Sequence, residues 1–361
     1  MLIEARRFSF ALASLLPAAL MLVAALLGGV WLWAAIASIT LCVVAMDRVG
    51  PGFEALPSSA QALPISVALA HFVTLAAVLW AVCHNSGLSN GEKILLVITM
   101  GLFAGQVSNA CAHELIHRSD RASRRLGTAI YCSILNGHHV SAHMLVHHVY
   151  AGTDKDPNSA PLGQGFYRYF TSATVAEYRA GFTAETQRLA KKAHWQHPYL
   201  RYGAGALTSL FAAWLIGGWL AVLCLLAISL HAQAQLLLSD YLQHYGLRRR
   251  IDATGKPEPM GPQHSWNAPH SYSSALMMNA PRHSDHHMNP ARDFTQLRLT
   301  EEMPTLPRSI PVMGAIALVP PLWRHIMDAR ADAWSAANPA ESAGKTGAHS
   351  IQRPHAVHQG R

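Results

Sequence analysis

Histidines are the residues in this sequence with the most evident chemical potential. The chain has 22 of them, and eight fall into three short clusters: HELIH at 113–117, HMLVHH at 143–148 and HSDHH at 283–287. A ninth, His244, stands alone in the stretch DYLQHYGL at 240–247. Imidazole nitrogens bind iron, copper and zinc. Nine such ligands are too many for one metal ion, so the clusters predict a site that holds two.

The spacing within each cluster predicts which histidines share a metal. Side chains at i and i+4 lie on one face of an α-helix, so His113 and His117 are expected to bind the same ion. The second cluster repeats this spacing at His143 and His147 and adds His148. The third cluster begins with an i, i+3 pair that is followed directly by one more histidine. We expect each of these pairs to bind a single metal.

The HExxH motif alone has a second interpretation. In zinc proteases the glutamate of this motif, here Glu114, is the general base. That interpretation leaves the two adjacent histidine pairs, at 147–148 and 286–287, without a role. The five cysteines form no CxxC motif and so give no support for a zinc ribbon, a fused rubredoxin or a disulfide framework.

The elements that must position these histidines belong to a membrane protein. The chain is 51% hydrophobic and 13% charged, whereas soluble domains are about 25% charged. Spans of about 20 residues predict an all-α integral membrane fold with six transmembrane helices. The predicted spans are Phe10–Leu27, Val30–Met46, Pro64–Cys83, Ile94–Ala112 and the two halves of Gly203–Ser239, which Gly217 and Gly218 divide.

The basic residues predict the orientation. If both termini are cytoplasmic, 27 of the 28 lysines and arginines lie inside and Lys93 lies outside. We therefore expect a multi-pass protein of the inner membrane with a cytoplasmic, histidine-rich cap. This placement argues against a histidine-rich metal transporter, whose ligands should lie near mid-membrane. It also explains the net charge of +8 without a nucleic-acid partner.

The predicted organisation has five parts. Residues 1–112 contain transmembrane helices 1–4, and residues 113–202 form a cytoplasmic segment with the first two histidine clusters. Residues 203–239 contain helices 5 and 6, and residues 240–330 form a second cytoplasmic segment with His244 and the third cluster. Residues 331–361 are polar, lack apolar periodicity and are expected to form a disordered tail. Within the second cytoplasmic segment, the apolar stretch at 310–326 is interrupted by two prolines and is expected to lie on the membrane interface.

These histidine motifs resemble those of the membrane fatty-acid desaturase and hydroxylase superfamily. Within it, the sequence is similar to the membrane alkane 1-monooxygenases over roughly residues 100–330. The matching stretches are HELIHR at 113–118, HxxxHH at 143–148, HYGL at 244–247, HSWN at 264–267 and RHSDHHMNP at 282–290. The stretch HHVY at 147–150 is also similar to the alkylbenzene monooxygenases of the xylene type.

The resemblance implies a non-haem di-iron site with no catalytic side chains beyond the metal ligands. The implied ligands are His113, His117, His143, His147, His148, His244, His283, His286 and His287. Asp240 and Asp285 are expected to orient the ligand rings, and Glu114, Asp154 and Asp156 are further candidates for this role. For Asp154 and Asp156, a solvated position on the cytoplasmic face is the alternative. Trp33, a bulky residue on the second span, is the candidate for the side chain that limits the length of the substrate channel.

The implied activity is hydroxylation of an unactivated C–H bond of an apolar substrate dissolved in the membrane lipid, specifically the terminal methyl of an alkane. O2 is the co-substrate, and the electrons come from a rubredoxin or ferredoxin with its reductase. An alkylbenzene monooxygenase and a fatty-acyl desaturase remain alternatives, because they need the same metals.

Overall fold

The computed structural model describes residues 2–49, 55–56, 60–190 and 193–338, with side chains from residue 7 onward. Helices and turns make up these ranges, and their only β-pairing is two isolated bridges, Ile251–Pro257 and Asn267–Thr305. The prediction of an all-α fold is therefore confirmed.

The helices are numbered in chain order. They are α1 (Leu2–Leu27), α2 (Val30–Ile39), α3 (Leu41–Val49), α4 (Ala62–His84), α5 (Asn90–Phe103), α6 (Asn109–His117), α7 (Arg121–Ser133), α8 (His139–Ala142), α9 (His148–Tyr150), α10 (Phe166–Arg188), α11 (Pro198–His244), α12 (Ser271–Leu276), α13 (His283–Met288), α14 (Ile310–Ala317) and α15 (Pro320–Ala337). Two π-helical segments join α5 to α6 (Ala104–Ser108) and α8 to α9 (His143–His147), and single 3-10 turns lie at His194–Gln196, Pro262–His264 and Phe294–Gln296.

Four helical segments are long and apolar enough to cross a membrane. They are Arg7–Leu27, Ala62–His84, Asn90–His117 and Pro198–His244. The pair α2–α3, bent by 46°, passes the same test as one unit, as does the pair α14–α15, bent by 120°. The protein is thus a membrane protein, and the number of crossings stays a prediction.

The two predicted glycine turns are breaks in the helical structure. Gly28 and Gly29 have φ of +60° and +57°, a conformation that favours glycine, and they join α1 to α2. Gly217 and Gly218 leave helical geometry in the middle of α11, with φ of −160° and +61°. The apolar blocks that were too long for one span are therefore interrupted where the glycine pairs predict.

Two further glycines allow α5 and α11 to approach each other closely. A Cβ atom at Gly101 would collide with the ring of His231, and one at Gly105 would collide with the amide of Gln235. Small residues spaced four apart are a common way for membrane helices to bring their backbones together. This contact brings polar side chains of α11 next to the helix that leads to His113.

The end of the chain differs from the prediction. Helix α15 continues to Ala337, so residues 331–337 are helical and the predicted disordered tail does not begin at 331. Trp323 is buried, and Asp328 accepts a 2.6 Å hydrogen bond from the Tyr245 hydroxyl just past α11. These contacts tie α15 to the core. The rest of the predicted tail, from residue 339, lies outside the described residues.

Candidate metal centre

The nine predicted histidines come together in two groups. The first group consists of His113, His117, His143, His148 and His286, and the second of His147, His244, His283 and His287. Within each group, one ring nitrogen from every member lies within 4.8 Å of the others. Each group could therefore hold a metal ion. These nine rings converge from α6, the second π-helical segment, α9, the end of α11 and α13.

The nitrogen spacing in the first group fits a metal better than hydrogen bonds. The Nε2 atom of His148 lies 2.9 Å from that of His143 and 3.1 Å from those of His117 and His286. One Nε2 atom cannot form three such hydrogen bonds, because it offers either one proton or one lone pair. Metal–nitrogen bonds of about 2.0–2.1 Å at right angles would separate neighbouring nitrogens by about 3 Å. The observed spacing matches that value.

The second group has the same spacing. The Nε2 atom of His283 lies 2.9 Å from that of His244 and 3.0 Å from that of His287. The Nε2 atom of His147 is buried and has no hydrogen-bond partner among the described residues, although its ring lies 4.8 Å from the His244 ring. A buried nitrogen lone pair without a partner is costly, and a metal ion in the centre of the group would satisfy it.

The local helix type decides which histidines share a group. α6 is α-helical, so His113 and His117 lie on one face, as predicted. Residues 143–147 are π-helical, and the wider turn places His148 beside His143 and sends His147 to the other group. The predicted pairing of His143 with His147 is therefore wrong. π-Helical insertions are frequent at functional sites.

The third cluster also pairs differently from the prediction. In α13, His283 and His287 stand at i, i+4 and share the second group, while His286 points into the first. The expected i, i+3 pairing is wrong because four residues come closer to a full helical turn than three. Asn267 fixes this short helix through a 2.9 Å bond from the Ser284 amide to its Oδ1.

Electrostatics favour neutral rings at most of these positions. Burial, followed by the neighbouring rings, holds the pKa of His143, His148, His283, His286 and His287 well below the usual histidine range. Neutral imidazole is the form that binds metals.

His147 is the exception, and a carboxylate is the reason. Burial alone would lower the pKa of His147, but Asp156 and more distant acids outweigh burial and raise it to about 9. Asp156 Oδ2 lies 2.9 Å from His147 Nδ1, and Asp156 is itself buried. In the described part of the chain, no other member of the two groups has a carboxylate bonded to its Nδ1. This bond fixes His147 with Nε2 directed at the second group.

Asp156 is one of the acidic residues predicted to orient the ligand rings, but three others of that set form no hydrogen bond with the rings. Glu114 interacts with Arg118 at 3.4 Å, and Asp285 accepts a 2.6 Å bond from Arg292. Asp240 accepts a 2.7 Å bond from Asn158. Across the described ranges, none of the three acids forms a hydrogen bond with any of the nine histidines, which corrects the prediction.

A second buried histidine–carboxylate pair lies beside the site. Glu177, in the middle of α10, is 2.5 Å from His139 Nδ1, and the His139 ring lies 5.2 Å from the His143 ring. No sequence motif marks Glu177. The only signal in the sequence is the position of Glu177 on one face of a helix, and the structure shows that this face is buried.

An apolar cavity of about 430 Å³ leads to the histidines. Its wall includes His113, His143 and His283 together with apolar side chains such as Ile39, Val44 and Leu318. Trp33 does not line this cavity, and 65% of its surface is exposed. The prediction that Trp33 limits the substrate channel is therefore wrong for this cavity.

Long apolar helices and two groups of buried, converging histidines define a membrane protein with a candidate two-metal centre. The chain belongs to the fatty acid desaturase family, whose model matches residues 93–317. Within that family it belongs with the alkane 1-monooxygenases, as its similarity to individual proteins shows.

Two alkane monooxygenases and one alkylbenzene monooxygenase illustrate this relationship. The chain is 31% identical to alkane 1-monooxygenase 2 of Alcanivorax borkumensis over 270 residues. The aligned region covers 73% of this chain and 70% of that relative. The chain is 29% identical over 261 residues to alkane 1-monooxygenase 2 of Pseudomonas aeruginosa, covering 71% and 69%. It is 25% identical over 312 residues to the xylene/toluene monooxygenase hydroxylase component XylM of Pseudomonas putida, covering 82% and 81%. The family prediction, an alkane 1-monooxygenase-like oxidoreductase, is confirmed.

Proposed function

We propose that this protein hydroxylates an unactivated C–H bond of an apolar, membrane-dissolved substrate, and specifically the terminal methyl of an alkane. The observation that carries the proposal is the apolar cavity whose wall includes His113, His143 and His283 of the two groups. An apolar chain in this cavity would present one end to both groups. The similarity to alkane 1-monooxygenases supports the same substrate class.

The proposed reaction is R–CH3 + O2 + 2 H⁺ + 2 e⁻ → R–CH2OH + H2O. One C–H bond breaks, one C–O bond forms, and the second oxygen atom leaves as water. Two electrons must enter from outside, and we propose a rubredoxin or ferredoxin with its reductase as the donor. The 28 lysines and arginines against 20 acids suit an acidic partner of this kind.

The nine histidines would hold two iron ions, one in each group. Iron bound there supplies the electron transfer to O2 that no amino-acid side chain can perform. The protein would contribute five imidazole nitrogens to the ion in the first group and four to the ion in the second. Asp156 keeps the Nδ1 proton on His147, so its Nε2 stays available as a ligand. The cavity wall keeps water from the reacting carbon and aligns the chain.

The test is product analysis with isotopically labelled oxygen. The protein in nanodiscs, loaded with iron and supplied with a reduced ferredoxin, is given ¹⁸O2 and octane, p-xylene or an acyl lipid in parallel. We expect 1-octanol that carries one ¹⁸O atom. An unsaturated product without label would identify a desaturase instead. Release of peptides from a casein substrate by the zinc-loaded protein would identify a protease.

Alkylbenzene oxidation is the second candidate. The alignment to XylM is the longest of those described above, and it spans 82% of this chain. A methyl group on an aromatic ring is also an apolar C–H donor that fits an apolar cavity. Preferential labelling of p-xylene over octane in the same competition would establish this alternative.

We also propose that the protein spans the inner membrane with both termini and the histidine groups on the cytoplasmic side. The asymmetry of the basic residues supports this orientation. A reporter fused after Gly87 should then be external, whereas one fused after Ala180 or after Arg361 should be cytoplasmic. A cytoplasmic signal from the Gly87 fusion would refute the six-span arrangement.

A further inference from the structure

One patch of the cavity wall is polar although it lies between membrane-spanning helices. The polar patch consists of Gln106 and Asn109, from the π-helical segment and the start of α6, and His231 and Gln235 of α11. All four side chains line the same cavity as His113, His143 and His283 of the histidine groups. Polar side chains in spans are uncommon and usually face a functional interior.

The amide nitrogens of the polar patch are already engaged. Gln235 donates to the Gly101 carbonyl at 2.9 Å, and Gln106 donates to Gln235 Oε1 at 3.2 Å. Asn109 donates to the carbonyls of Gly105 and Ala232, both at 3.1 Å. These bonds tie α5 and α6 to α11 and hold the side chains in fixed orientations.

Three polar positions of the patch remain without partners. Gln106 Oε1 and Asn109 Oδ1 are buried acceptors that receive no hydrogen bond from the described residues, and Asn109 is only 6% exposed. The ring nitrogens of His231 also form no hydrogen bond in the described ranges, and His231 faces the cavity. Buried polar groups are nearly always paired, so the two amide oxygens call for a ligand group, whereas His231 is only partly buried. A plain hydrocarbon has nothing to offer them.

The patch lies at a defined distance from the metal centre. Asn109 is one helical turn before His113, and Gln106 is seven residues before it. At 1.5 Å per residue, Gln106 lies on the order of 10 Å from His113 along the helix. A chain whose end reaches His113 would therefore place a polar group at the patch if that group stood several carbons from the reacting methyl.

We propose that the polar patch binds a hydroxyl group of the substrate, so that the protein oxidises the methyl end of an already oxygenated chain. This inference rests on the proposed function. A hydroxyl suits the patch because it donates to one amide oxygen and accepts from His231. A carboxylate fits poorly, since it cannot donate and its charge is costly in a membrane.

The reaction at the far end is HO–R–CH3 + O2 + 2 H⁺ + 2 e⁻ → HO–R–CH2OH + H2O. The bound hydroxyl is unchanged, and its hydrogen bonds position the chain so that the methyl meets the metal centre. Oxidation by another enzyme of the class that hydroxylates alkanes would supply this substrate.

The test is an internal competition between octane and 1-octanol in one nanodisc preparation with ¹⁸O2. In Gln106→Met the side-chain oxygen is lost while the volume is nearly kept. We expect the ratio of kcat/KM for 1-octanol to kcat/KM for octane to fall about tenfold, the effect of one hydrogen bond to substrate. Gln233→Met is the matched control, because Gln233 bonds to the Ile134 carbonyl and does not line the cavity.

The outcomes separate the two proposals. An unchanged ratio of the two substrates in Gln106→Met, with wild-type iron content, would show that the patch only joins helices or holds water. Equal rates for the two substrates in the unaltered protein would overturn the inference even if the variant failed to fold. No labelled product from either substrate would instead count against the proposed function itself.

Discussion

Asp156 provides the sharpest test of the metal centre. Its carboxylate is 97% buried and lies 2.9 Å from His147 Nδ1. It also accepts a 2.7 Å hydrogen bond from the Ser159 hydroxyl and a 3.1 Å hydrogen bond from the backbone N–H of Asn158. The carboxylate is thus held in place from three sides. Removing a group that orients a metal-binding histidine typically costs 10–100-fold in metal affinity or activity.

Two substitutions of Asp156, to Asn and to Ala, should lower iron affinity by different amounts. Asp156→Asn keeps an acceptor for His147 but loses the charge, so iron affinity of the second group should fall about tenfold. Asp156→Ala loses both the acceptor and the charge, so the iron affinity of the second group should fall about a hundredfold. Asp154→Asn is the matched control, because the Asp154 side chain is fully exposed and lies 3.6 Å from Arg248. Iron titration of the metal-free protein, followed by elemental analysis, measures each effect.

The same pair predicts a pH dependence. The pKa of His147 is raised to about 9 in the metal-free protein, so below that pH the ring is protonated and iron must displace a proton. Iron affinity at the second group should therefore increase with pH, by up to tenfold per unit, and level off near pH 9. In Asp156→Asn the plateau should begin at lower pH. An identical pH profile in both proteins, or equal affinity in Asp156→Ala and wild type, would refute the role given to Asp156.

Five other substitutions give distinct expectations. His286→Ala and His147→Ala should each remove one of two bound irons, since they belong to different groups, and each should abolish hydroxylation; full activity with elemental iron unchanged would contradict the assignment. Glu114→Gln should keep at least a tenth of the activity, because Glu114 contacts Arg118 and not the histidines, whereas a protease would lose all activity. Trp33→Ser should leave the accepted alkane lengths unchanged, because Trp33 is exposed. Ile39→Ala should extend the range to longer alkanes, because Ile39 lines the cavity. Product profiles over a series of alkanes measure both effects.

The membership of the metal centre could be predicted from sequence, but its internal pairing could not. Eight histidines at short, repeated spacings are rare enough to mark a site without structural information, and the family resemblance adds the isolated His244. The assignment of His143 to one group and His147 to the other depends on a π-helical segment. A shift from i→i+4 to i→i+5 bonding reflects the packing around a segment, and the residue pattern assumed for an α-helix does not show it.

Glu114, Asp240 and Asp285 failed as ligand-orienting residues because closeness in sequence is a poor guide to contact. Glu114 directly follows His113, and successive helix residues point in different directions. The carboxylate that does contact a ligand, Asp156, reaches His147 through a turn nine residues away. Trp33 failed for a related reason. In α2 the buried face carries Leu32, Ala35 and Ile39, so Trp33 is directed away from the core.

The shared helices make the two histidine groups a single structural unit. The second π-helical segment and the residue after it give His143 and His148 to the first group and His147 to the second. In α13, His286 serves the first group and His283 and His287 serve the second. Because each rigid segment carries ligands for both groups, a rotation that disturbs one group must disturb the other. If each group holds one ion, helix geometry would therefore set the separation between the two ions.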